Sequence, residues 1–336
     1  MTARRRPRAN IVAVSLPARE CDVRRSGVTM ASAISRLLVL ARPKSAVLVC
    51  ALPCLGYGYG LWEQGSTVSP LVVLPTLAHL VAVWLLGHAG ALWLNAQLDR
   101  DEGSVLLGRS VRVPRGTGTI AYVALAASLA VALPLGWPAT ACVAGCAVLA
   151  VLYSHPRIAL KGHPIAGPLI NGVGYASLSP LAGWAISGAR WSWRAPLTLA
   201  ALVVGILGLY FAAQAFQGDE DRARGYRTLV VTHGPQFTLR IARLCFAVSM
   251  LVVLLGALIG IYPRAVLVAL VPFVLVDRFA ARWSRVPGGG DGEWATGLVV
   301  RLVVALLFVI GGTYAHHFVA LVRGAPVGGR GTAIVP

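Results

Sequence analysis

Long apolar runs separated by short polar stretches make up most of the chain. A bilayer core of about 30 Å takes about 20 apolar residues per helix. Nine runs fit that use, at about 45–62, 69–94, 119–136, 138–153, 165–187, 196–216, 244–262, 263–277 and 297–322. Several are short and meet at Gly/Pro turns such as Gly136-Trp137-Pro138, which read as helical hairpins. Pro53, Pro75, Pro134, Pro168, Pro180 and Pro272 lie inside or at the ends of runs. Such prolines are tolerated where neighbouring helices satisfy the freed backbone groups. The pattern therefore predicts an all-α, polytopic membrane protein, a packed bundle of about nine helices.

Composition agrees with that reading. Hydrophobic residues make up 57% and charged residues 12% of the 336, where a soluble chain averages about 25% charged. The net charge of +18 would suggest nucleic acid in a soluble protein, but the bases sit between the apolar runs. With nine spans, 25 of the 30 Lys and Arg residues fall on the side of the N-terminus. The positive-inside rule then puts the N-terminus in the cytoplasm and the C-terminus outside, in the cell membrane. No nucleic-acid partner and no obligate protein partner are expected. The six cysteines give no disulfide or zinc framework.

Residues 1–35 form a basic segment and 323–336 a short tail. The only apolar stretch in the first 29 residues, 11–16, is too short for a signal-peptide core. Those residues read as an arm on anionic lipid or as untranslated, with Met30 as the start; the second reading is preferred.

The acids are scarcer and more informative. Eleven of the twelve fall on the cytoplasmic side, Glu63 being the exception, and six form two clusters after the second and sixth runs. Carboxylates at a membrane boundary are costly unless a cation or base neutralises them. In the first cluster Asn95, Asp99 and Glu102 share one helix face, while Asp101 points elsewhere. Oxygen ligands on one face suit Mg²⁺, which takes one or two carboxylates with substrate phosphates and water. Pairing of these acids with Arg100 and Arg109 is the other reading of that cluster alone. In the second, Gln217 and Asp221 are four residues apart, beside Asp219 and Glu220 and followed by an Arg-rich loop. Two acidic faces at one membrane depth favour Mg²⁺ around a diphosphate, with arginines on its outer oxygens.

Between the fourth and fifth runs lies Tyr153-Ser154-His155-Pro156-Arg157, then Leu160-Lys161-Gly162-His163-Pro164. Lys161 and Arg157 suit a phosphate group, although a basic loop of this kind is ordinary by itself. Together the three segments resemble the UbiA superfamily of intramembrane prenyltransferases. Asn95 and Asp99 match its Asn-x-x-x-Asp motif, continued as Asp99-Arg100-Asp101. Asp221, Arg222, Gly225 and Thr228 match Asp-Arg-x-x-Gly-x-x-Thr. Tyr153, Ser154, Pro156, Leu160, Lys161 and Pro164 match the Tyr-Ser-x-Pro and Leu-Lys loop, and Arg42-Pro43 precedes the first span. The resemblance covers about 36–322. Two positions depart from the family: Gly103 and Gln217 stand where it has aspartates.

The resemblance implies a bundle around a central cavity and a Mg²⁺-dependent transfer. A polyprenyl group would pass from an isoprenyl diphosphate to an aromatic or lipid-like acceptor, releasing diphosphate. It implies Asn95, Asp99, Glu102 and Asp221 on metal, with Asp101, Asp219 and Gln217 beside them. Arg222, Lys161 and Arg157 would hold diphosphate, and Tyr153 would face the carbocation. Two rival readings are a terpene cyclase, which ionises the same bond without an external acceptor, and a cation-coupled transporter. The Cys50/Cys54 and Cys142/Cys146 pairs read as packing. His88, seven positions before Asn95, reads either as a residue lining that cavity or, by default and like His316 and His317, as a satisfied membrane histidine; Trp191, Trp193 and Trp283 read as interfacial aromatics.

Overall fold

Prolines and glycines set the helix boundaries in the computed structural model, which describes residues 30–65, 68, 70–99, 107, 111–158 and 160–322. Among those residues every regular element is helical. In order they are α1 (Met30–Leu40), α2 (Pro43–Gln64), α3 (Pro70–Asp99), α4 (Thr117–Ala132), α5 (Trp137–Ser154), α6 (Ala166–Val173), α7 (Ser179–Ile186), α8 (Arg194–Gln214), α9 (Gly218–Ala223), α10 (Leu229–His233), α11 (Pro235–Leu258), α12 (Leu270–Trp283) and α13 (Gly292–Val322).

Seven of the described helices, α2, α3, α4, α5, α8, α11 and α13, are long and apolar enough to cross a membrane. The protein is therefore a multi-pass membrane protein, and among the described residues seven of the nine expected runs form single unbroken helices of that length. The other two apolar runs are built from shorter pieces. Over 165–187, α6 passes through a π-helical turn, Gly174–Leu178, into α7. Pro180 has no N–H to offer the carbonyl of Ala176, so the regular ladder cannot run through. Over 263–277, a 3₁₀ segment, Arg264–Ala269, precedes α12, with Pro263 and Pro272 flanking the transition.

Helix α2 is buried along most of its length, whereas the other long helices leave most of their apolar surface on the outside. Large side chains such as Leu71, Leu74, Leu251 and Val271 are exposed there, as suits a lipid-facing wall. Around α2 the packing is at backbone distance. A Cβ on Gly56 would strike the carbonyl of Pro180, and one on Gly183 the carbonyl of Pro53. Small residues allow this approach between α2 and α7, where dispersion replaces the hydrophobic effect as the cohesive term. Elsewhere polar ties cross the bundle: Tyr314 donates to the carbonyl of Cys54 at 2.7 Å, and Arg243 holds Asp277 at 2.6 and 3.1 Å.

The cysteines pack as expected, Cys50 and Cys142 being buried and all five described ones free thiols. Trp191 and Trp193 are exposed, but Trp283 corrects the aromatic-belt reading. It is fully buried and donates to the carbonyl of Gly289 at 2.8 Å. Helix α2 starts, and α3, α5 and α8 finish, at one end of the bundle, which gathers Arg42, Asn95, Ser154 and Gln214 there. Glu63 marks the opposite end, accepting hydrogen bonds from Trp184 and Ser192.

Candidate active site

At the end shared by Asn95 and Gln214, a cavity of about 360 Å³ opens into the bundle. Its mouth carries Arg42, Asn95, Lys161, Gln217, Glu220, Asp221 and Arg224, and its interior is walled by apolar residues such as Val49, Val83, Leu125 and Val143. Local structure positions each polar group. The last turn of α3 presents Asn95, whose Oδ1 accepts from Ser154 Oγ at 3.1 Å and from Lys161 Nζ at 3.4 Å. Lys161 lies in the 3₁₀ turn Leu160–Gly162 and is 8% exposed. The carbonyl of Gly162 accepts from the backbone N–H of Arg227 at 3.1 Å, so this turn is joined to the loop after α9. The ring of Tyr226 covers Gly162 closely enough to exclude a Cβ there.

The short helix α9 opens at Gln217, whose carbonyl accepts from the N–H of Asp221 at 2.9 Å. Its reversal at Gly225, φ 74°, uses a left-handed conformation that glycine adopts freely. That turn brings Thr228, 1% exposed, back to Asp221, and its hydroxyl donates to Oδ2 at 2.7 Å. Asp221 itself is only 8% exposed and lines the cavity. Burial pushes the Asp221 carboxyl up; the hydrogen bond from Thr228 and the charges of Arg224 and Lys161 oppose it. Burial pulls the Lys161 ammonium down to about 8, the Arg224 charge acts the same way, and Asp221 and Glu220 oppose both.

The residues singled out from the sequence divide clearly. Asn95, Tyr153, Lys161, Gln217 and Asp221 line one cavity. Asp219 points into solvent with Arg222 paired to it at 2.7 Å, the two side chains 101% and 60% exposed. Asp219 and Asp221 are two positions apart, about 160° around a helix, and only Asp221 lines the cavity. Arg157 is exposed and outside the cavity wall. The side chain of Asp99, and Asp101 and Glu102, lie outside the described residues. Among those that are described, no three His, Cys, Asp or Glu side chains gather as a metal site.

Other cavity residues were not chosen from the sequence. Arg224, ion-paired to Glu220 at 2.6 Å, faces the mouth in place of Arg222. Arg42 reaches it through a left-handed backbone, φ 47°, rare for a non-glycine residue. Its proline neighbour was the one available signal, since the residue before Pro disfavours the helical region. Gln214 donates to the hydroxyl of Tyr210 at 3.0 Å, and Tyr210 to the carbonyl of Lys161 at 3.5 Å. A glutamine and a tyrosine inside an apolar run are the trace such a relay leaves in sequence. His88, by contrast, was offered for the cavity by its spacing from Asn95, and it does line it, its Nε2 2.8 Å from Ser45 Oγ.

Chemically, a buried carboxylate and amide oxygens beside bases, at the neck of an apolar cavity, suit a ligand with an anionic head and a hydrocarbon body. The fold and this site thus define an integral-membrane protein with a polar neck on an apolar cavity. Residues 47–289 match the UbiA prenyltransferase family, and the chain belongs to it; it is a prenyltransferase. A curated relative is digeranylgeranylglyceryl phosphate synthase of Natronomonas pharaonis, 27% identical over 282 residues that cover 82% of this chain and 96% of the relative. Among solved structures, the fold is similar to a UbiA homologue from Archaeoglobus fulgidus bound to DMAPP and Mg²⁺. There the TM-score is 0.59, with 19% identity and coverage of 83% of this chain and 98% of that one. The same homologue bound to GPP and Mg²⁺ matches with TM-score 0.56 and 17% identity, over 83% and 99% of the two chains. A structure described as giving insights into digeranylgeranylglyceryl phosphate synthase in membranes matches with TM-score 0.56 and 16% identity, over 84% and 99%.

Proposed function

We propose that the protein catalyses Mg²⁺-dependent transfer of a polyprenyl group from an isoprenyl diphosphate to a hydrophobic, lipid-like acceptor, with release of diphosphate. The observation that carries this reading is the meeting of Asn95, Lys161 and Asp221, from three separated segments, at the polar neck of one apolar cavity. One buried carboxylate with amide oxygens is the sparse oxygen set that Mg²⁺ shares with substrate phosphates and water. Asp221 and Asn95, with Asp99 at the end of α3, would hold the ion. Its chemistry when bound is neutralisation of the departing diphosphate.

The protein's own groups supply the rest. Lys161, Arg42 and Arg224 bind phosphate oxygens from the cavity wall, and Thr228 fixes the orientation of the Asp221 carboxylate. An anionic head beside Lys161 offsets the desolvation that depresses its pKa, keeping the ammonium protonated where charge develops. As the allylic C–O bond breaks, its electron pair leaves with the diphosphate. The apolar walls then keep water from the carbocation until the acceptor attacks and gives up its proton to the released diphosphate, and Tyr153 lies among the cavity residues that would face it.

The two segmented rods, α6 with α7 and the 3₁₀ segment with α12, also traverse the membrane in this reading, giving nine crossings. The neck then lies on the cytoplasmic side, where most Lys and Arg residues fall. The test is diphosphate release by the purified protein with a C20 isoprenyl diphosphate, Mg²⁺ and a lipid extract. Release that depends on the extract supports transfer, and release without it points to a cyclase.

A further inference from the structure

Helices α11 and α12 run antiparallel, and two contacts fix their register. Arg243 holds Asp277 at 2.6 and 3.1 Å, and Gln236 donates to the carbonyl of Val286 at 3.3 Å. The inward faces of the two helices bury Leu239, Ala242, Val276 and Ala280 in one apolar cluster. The same stretch carries Arg240, Arg278 and Arg282, all exposed, at positions that fall between the two contacts. This basic seam stands at the neck's end of the bundle, because the turn after α12 sets Gly289 against the carbonyl of Ala215, one residue past α8.

Charge along the seam is one-sided. Asp277 is the one acid in the sequences of α11 and α12, and Arg243 already takes both of its oxygens. Among the described residues no carboxylate pairs with Arg240, Arg278 or Arg282. Asp291, in the turn that follows, accepts instead from the N–H groups of Glu293 and Trp294 at 3.0 and 3.3 Å. Topology explains bases at one end of a bundle, but not three of them gathered on one exposed seam. Farther from that end the surface turns apolar, with Leu244 and Leu251 on α11 and Val271 and Leu275 on α12 exposed.

We propose that this seam binds an anionic phospholipid, its headgroup phosphate among Arg240, Arg278 and Arg282 and its acyl chains along the exposed Leu and Val side chains. The cavity at the neck takes no wall residue from α11 or α12, so the lipid site is separate from it and stands without the donor reading. A helix rise of about 1.5 Å per residue puts Arg278 and Arg282 roughly 6 Å apart along α12, a spacing that one phosphodiester spans. Guanidinium groups offer paired N–H donors that match phosphate oxygens. Each base beside an anionic headgroup strengthens binding by about fivefold, so three of them discriminate against a zwitterionic lipid. The Arg243–Asp277 pair, 45% and 38% exposed, lies where the basic stretch meets the apolar one and keeps the two helices in register there.

The test is native mass spectrometry of the full chain in micelles with equal amounts of phosphatidylglycerol and phosphatidylcholine of one acyl length, read as the ratio of the two bound forms. Wild type is expected to favour phosphatidylglycerol by at least about tenfold. The triple variant Arg240→Gln, Arg278→Gln, Arg282→Gln is expected to fall to within about twofold of no preference. A control triple, Arg112→Gln, Arg115→Gln, Arg157→Gln, removes three exposed charges elsewhere and should keep the wild-type ratio. Each single substitution on the seam is expected to lose about three- to fivefold, which keeps the test decisive even where the triple variant does not fold. Equal loss in both triples reduces the seam to general surface charge and overturns the proposal. So does full preference in the seam variants, or equal binding of the two lipids by wild type.

Discussion

The ammonium of Lys161 and the amide oxygen of Asn95 are 3.4 Å apart, although 66 positions separate them in sequence. Both face the neck of the cavity, and Lys161 is held there by the backbone tie between Gly162 and Arg227. Burial and Arg224 disfavour the ammonium and Asp221 and Glu220 favour it, so an anionic head arriving at the neck adds to the charges that stabilise it. Lys161→Met is therefore expected to weaken binding of an isoprenyl diphosphate by about 10- to 100-fold, the worth of a charge-assisted hydrogen bond. Arg157→Ala and Arg222→Ala, at exposed positions, are expected to change it by no more than about twofold. Titration of the three variants under one set of conditions checks both halves of the expectation.

Thr228 tests the orientation of the Asp221 carboxylate. Thr228→Val keeps the volume of a buried side chain and removes the donor 2.7 Å from Oδ2. Loss of such an outer hydrogen bond costs about 10- to 100-fold in metal affinity at other sites. The Mg²⁺ concentration for half-maximal diphosphate release should rise by that factor, while Thr228→Ser should restore it.

Backbone contact between α2 and α7 has its own test. Gly183→Leu inserts a side chain against the carbonyl of Pro53 and is expected to cost about 2–3 kcal/mol or to abolish folding. Gly311→Ala on α13 meets nothing within 4 Å and should leave the melting temperature in detergent unchanged.

The unbroken spans were legible because apolar runs of membrane length carry their own signal. The runs at 165–187 and 263–277 were read equally well as apolar, but Pro180 and Pro272 turned them into end-to-end segments. The site was legible where spacing fixes a helix face, as with Gln217 and Asp221. It was less so among the bases, because a run such as Arg222-Ala223-Arg224 does not say which arginine turns inward. The ion pair from Arg222 to Asp219 decides that in the structure. Arg42 depended on a left-handed backbone at the start of α2, a choice made by packing rather than by composition. Trp283 was misread because an aromatic near a helix end resembles a membrane anchor until its burial is known.

Diphosphate release from a C20 isoprenyl diphosphate by the purified protein, with Mg²⁺ and a lipid extract, tests the central claim most directly. Release should be abolished by a chelator and restored by Mg²⁺, and Asp221→Ala should lower it by about 100-fold or more. Release at the wild-type rate from Asp221→Ala, or release indifferent to the chelator, would contradict the account.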